Sequence, residues 1–158
     1  MRDIEIIRDK TAMRHGDRIS KFMSRIARGD RIFIVLSDKY LKSAYCMHEL
    51  FDVWRNCRED EAEFIARTRL FVLDCAKIKT AQGRAQYVIY WRKKFEEMQA
   101  LVKEYGQLVL SDADNAEYRL MTRFANETAN ILHLVQDVLR PRTFEEFETY
   151  GFDAPPPR

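Results

Sequence analysis

The chain has 158 residues, of which 46% are apolar, 12% aromatic and 33% charged, and its formal net charge is +2 at pH 7. That length fits one domain with a sizeable core, and the apolar share excludes an intrinsically disordered chain. A charge this close to balance disfavours a dedicated nucleic-acid binder. Five glycines in patterns that match neither motif exclude a glycine-rich dinucleotide fingerprint and a P-loop.

Ile4 to Ile7 predicts a short first strand, and the polar stretch Arg8 to Asp17 predicts the loop that leaves it. Asp17 is placed to cap a helix in which Ile19, Phe22, Met23 and Ile26 recur at helical spacing, with Gly29 closing it. The five-residue apolar run Ile32 to Leu36 reads as a strand buried on both faces of a parallel sheet. After the loop Asp38 to Ser43, a second helix is expected, capped by Ser43 and burying Met47, Leu50, Phe51 and Trp54. Arg58 to Glu63 reads as a charged linker, and Leu70 to Leu73 as a third strand.

Strands alternating with helices predict an α/β core over residues 1–80, doubly wound with right-handed crossovers. Residues 84–140 instead predict a pair of long amphipathic helices. Tyr87, Trp91, Phe95, Met98, Leu101, Val102 and Tyr105 mark the first; Met121, Phe124, Thr128, Ile131, Leu132, Val135 and Val138 mark the second. Gln107 to Leu110 is a candidate fourth strand between them. Residues 1–140 thus form a single domain, and residues 141–158 read as an irregular tail rich in aromatics: Phe144, Phe147, Tyr150 and Phe152.

Cys46, Cys57 and Cys75 have no paired spacing and no secretory leader precedes them, which predicts reduced thiols and a cytoplasmic location. His15, His48 and His133 are scattered, and no Cys/His cluster has zinc spacing, so no metal site is expected. No apolar run is long enough to span a bilayer. Arg14, Arg18, Lys21, Arg25 and Arg28 form a basic stripe at helical spacing, read as a solvated face or, alternatively, an association surface.

In open α/β sheets, ligands bind outside the carboxyl ends of the strands. Three loops leave such ends here: Arg8 to Asp17, Ser37 to Cys46 running into Glu49, and Asp74 to Lys77. The second is the richest in polar chemistry. Glu49 falls in the first two turns of its helix, off the apolar stripe; it is either a solvated glutamate favoured by the helix dipole or a functional carboxylate. Cys46 has no base partner in this stretch, so a packing or site-lining thiol is favoured over a nucleophile.

The segment from Ile34 through Ser37, Tyr40, Leu41, Ser43, Tyr45, Cys46, Glu49 and Leu50 resembles the strand C to helix C region of Toll/interleukin-receptor (TIR) domains. Its pattern is a hydrophobic strand, Ser-x-x-Tyr-Leu-x-Ser, then aromatic-Cys-x-x-Glu-Leu. Ile6 to Lys10 with Gly16-Asp17 is similar to strand B and the following loop of bacterial members. The resemblance implies a flavodoxin-like parallel sheet of TIR type, short by the family's first strand and helix, followed by the long helical pair. Tyr45 stands where the family more often has Trp.

The resemblance further implies an NAD+ glycohydrolase acting in signalling, defence or innate immunity. NAD+ is then a substrate, with no bound cofactor. Glu49 matches the catalytic glutamate. Ser37, Tyr40, Tyr45 and Cys46 would line the NAD+ site, and Asp9, Lys10 and Arg14 sit on the loop that closes it in the family. Other TIR domains are the expected partners, by self-association. The alternative within the same resemblance is a non-enzymatic module that works by homotypic association. A third reading, a phospho-acceptor receiver, would use Asp9, Asp38 and Asp74 but lacks the paired acid at the first strand end.

Overall fold

The computed structural model describes residue 21 and residues 31–138 and 141–153. The predicted first strand, the first helix and its basic stripe, apart from an exposed Lys21, lie outside these residues.

Two strands, β1 (Ile32–Leu36) and β2 (Thr68–Val72), pair in parallel, with Ile32 opposite Thr68 and Leu36 opposite Val72. Parallel neighbours need a long crossover between them. Here it consists of α1 (Asp38–Leu41), α2 (Ala44–Asn56) and α3 (Glu61–Arg67). Each begins on a side-chain cap: Ser37 accepts from the Tyr40 N–H, Ser43 from Cys46 and Asp60 from Glu63. Helix α3 corrects the expected linker, of which only Arg58 to Asp60 remains. Arg58 and Glu59 take left-handed backbone conformations there, with φ of 55 and 58 degrees, and turn the chain into α3.

The described chain is mostly helical. α4 (Ala81–Tyr105) and α5 (Asp112–Asp137) supply the expected helical pair. Trp91 packs edge-on against Phe124 and Phe95 stacks on Tyr118, so later residues of one helix meet earlier residues of the other and the pair is antiparallel. Gln107–Val109 is a 3-10 turn rather than a strand. Gly106, at φ 83, ends α4 in a conformation that favours glycine, and a Ser111–Asp114 capping box starts α5 five residues later.

One core joins these parts. Met47, Leu50, Phe51 and Val53 of α2 are buried, and Phe51 stacks on Phe124 with ring centroids 5.1 Å apart. Trp54, half-buried, packs edge-on against Phe64 of α3.

The reading of β1 as buried on both faces is corrected. Ile32, Ile34 and Leu36 are buried, but Phe33 and Val35 are 40% and 41% exposed. Among the described residues their face is covered by α6 (Phe144–Asp153), a helix where the sequence suggests an irregular tail. Phe33 and Phe71 reach from the two strands into a cluster with Phe144, Phe147 and Phe152. Two cations hold the far end of α6: Arg31 Nη1 donates to the Gly151 carbonyl at 2.8 Å, and the Arg69 guanidinium lies 4.7 Å from the Tyr150 ring centroid. The tail aromatics thus dock on the chain's own sheet. No described helix is long and apolar enough to cross a membrane.

Candidate functional site

The loop leaving the carboxyl end of β1 is compact because Ser37 ends the strand and caps α1 at once. Ser37 Oγ accepts from the Tyr40 N–H at 3.0 Å, so it is engaged in holding the loop. The single turn of α1 swings Tyr40 back over α2, where its hydroxyl donates to Glu49 Oε2 at 3.4 Å. Glu49 is half-buried, which sets aside the freely solvated glutamate. Burial pushes its carboxyl above the ordinary 4.5, and the Tyr40 hydrogen bond offsets part of that rise. Burial and the neighbouring Glu49 charge hold the Tyr40 phenol well above its usual range, so it stays a proton donor.

Tyr45 and Cys46 precede Glu49 by four and three residues in α2, which places all three on neighbouring positions of one helix face. Tyr45 is exposed and Cys46 half-buried. His48 is occupied by Asp52, Nδ1 to Oδ2 at 3.2 Å. Of the predicted site residues, Ser37, Tyr40, Tyr45, Cys46 and Glu49 therefore gather at the end of β1. Asp9, Lys10 and Arg14 lie outside the described residues.

A second layer of the site comes from α4. Tyr87 Oη donates to Asp38 Oδ1 at 3.0 Å and accepts from the Lys77 N–H at 3.1 Å. Trp91 Nε1 donates to the Leu41 carbonyl at 2.9 Å, and Tyr90 Oη to the Lys42 carbonyl at 3.2 Å. Asp38 also takes a 2.9 Å ion pair from Lys42, which with the Tyr87 bond keeps its carboxyl below the ordinary range. Asp74, by contrast, is fully exposed and faces Lys79, as expected of a surface acid rather than a member of a receiver-type cluster. Among the described residues no group of three His, Cys, Asp or Glu is arranged to hold a metal ion.

No family model, curated protein or solved structure matches this chain.

The helical stripe identifies Tyr87 and Trp91 only as core rings. What it leaves unseen is their polar edges, although a buried phenol or indole N–H ordinarily finds a partner, and that is the signal that points to them.

Proposed function

We propose that this chain is a TIR-type domain, with a flavodoxin-like parallel sheet, that cleaves the nicotinamide–ribose bond of NAD+ with Glu49 as its catalytic carboxylate. The observation that carries this reading is the Tyr40–Glu49 pair at the carboxyl end of β1, on the residues that bear the family resemblance. Nicotinamide leaves NAD+ as a neutral base from a cationic precursor, so its departure needs no general acid, unlike ordinary glycoside cleavage. What the reaction needs is an anion beside the positive charge that develops on the ribosyl carbon, in a setting poor in water. A half-buried carboxylate steadied by one phenol suits that task, and exposed Tyr45 offers a ring beside it.

The test is NAD+ consumption by the wild type and by Glu49→Gln. Nicotinamide release by the wild type that disappears in a folded Glu49→Gln variant supports the reading. Equal turnover by both, or none by the wild type at any protein concentration, overturns it.

A second reading, a non-enzymatic homotypic interaction module, draws support from Tyr105, Leu108 and Val109, which expose apolar surface at the tip of the helical pair; Leu108 is 99% exposed. It predicts oligomers that grow with concentration in light scattering, without NAD+ loss.

A further inference from the structure

We propose that Tyr87 is a positioning residue for the candidate site: its hydroxyl ties the loop after β1 to the loop after β2 and so fixes Tyr40 against Glu49. The functional part of this inference rests on the proposed NAD+ cleavage; the positional part stands on geometry alone.

Tyr87 is 2% exposed, and its ring belongs to the core. Its hydroxyl lies between the two strand-end loops, giving its proton to Asp38 and taking a hydrogen bond from the Lys77 backbone. Burial pushes the phenol up to about 12, offset in part by the Lys77 N–H and reinforced by Asp38, so the hydroxyl is protonated, and a donor, across the physiological range. Asp38 is the first residue of the α1 turn and Tyr40 the third. A displacement of Asp38 therefore moves Tyr40 with it.

The approach of α4 that makes this reach possible is built in by Gly83. A Cβ at that position would stand 2.0 Å from the Lys77 carbonyl oxygen, so only glycine allows the first turn of α4 to lie on this loop. Arg84 Nη1 adds a bond to the Ile78 carbonyl at 2.8 Å, holding the same loop from the next residue. Tyr90 and Trp91 secure the later carbonyls of the α1 turn, and of these three side chains only Tyr87 hydrogen-bonds to both loops.

Tyr87→Phe keeps the buried ring and removes both hydrogen bonds. Amide hydrogen exchange followed by NMR reads the positional role without any substrate. The Lys77 amide and the Tyr40, Leu41 and Lys42 amides of the α1 turn are expected to exchange about tenfold faster in the variant, while the α5 amides hold their rates. In the activity assay, kcat for nicotinamide release is expected to fall about tenfold or more with KM unchanged, because misplacing a catalytic group slows chemistry rather than binding.

Acceleration at Lys77 alone, with the α1 turn unmoved, overturns the inference. So does an unchanged kcat in a variant whose wild-type parent is active. If the wild type releases no nicotinamide, the functional reading fails by itself and the exchange rates decide the positional role. Should Tyr87→Phe not fold, Asp38→Ala, which removes the acceptor at a partly exposed position, is scored on the same Tyr40 and Leu41 amides.

Discussion

The ring of Phe33 lies directly against the backbone of Gly151: a Cβ at residue 151 would stand 2.1 Å from Phe33 Cε1. Helix α6 therefore seats on the sheet through a contact that tolerates no side chain. Gly151→Ala should push α6 away from Phe33 and cost about 1–3 kcal/mol of stability, the usual range for overpacking. Urea denaturation measures the loss, and limited proteolysis should show cleavage within residues 141–153 before the rest of the chain. A variant as stable as the wild type would mean that α6 does not need this seat.

Glu49→Gln has a stability signature distinct from its effect on activity. Burial raises the Glu49 pKa in the folded state, so the folded chain favours the neutral carboxyl. The contribution to stability is full below the ordinary value of 4.5 and is lost as pH rises through the raised folded value. At pH 7 the Gln variant should equal or exceed the wild type in denaturant midpoint, and that advantage should vanish in acid. A lower midpoint at pH 7 would mark Glu49 as a structural residue.

His48 behaves in the opposite chemical sense but with the same pH direction. Its hydrogen bond to Asp52 raises its pKa from 6.5, so its stabilisation is present below that value and disappears as pH climbs through the raised one. Asp52→Asn should lower the His48 pKa in an NMR titration. An unchanged value would show that solvent screens the pair completely.

Gly83→Ala tests the seat of α4. The added methyl meets the Lys77 carbonyl, so α4 must move off the loop. Expected are a loss of about 1–3 kcal/mol and faster exchange of the Lys77 amide, which needs the Tyr87 hydroxyl. Retained protection at Lys77 would show that the loop follows the helix.

What the sequence makes legible here is local. Ser37 and Ser43 announce their helices through cap chemistry, the Met47 to Trp54 stripe gives α2 its buried face, and the spacing from Tyr87 to Val135 gives the helical pair. Helix α3 escapes because it is seven residues long and anchors on one fully buried ring, Phe64, too little periodicity to register. Helix α6 escapes because the apolar face that orders it belongs to Phe33 and Phe71, far away in sequence. At the candidate site, Tyr40 and Glu49 are visible within one short segment. The Tyr87 hydroxyl is not, since its partners stand 49 and 10 residues away and only the fold brings them together.

The late position of α6 matters while the chain is being made. Both strands are synthesised before α4 and α5, yet the aromatic lid over Phe33 and Phe71 follows only after both helices are complete. At ~5–20 residues per second, that strand face goes without α6 for several seconds during translation. Nascent chains of this protein should therefore be clients of ribosome-associated chaperones, and release from them should await the arrival of Phe147.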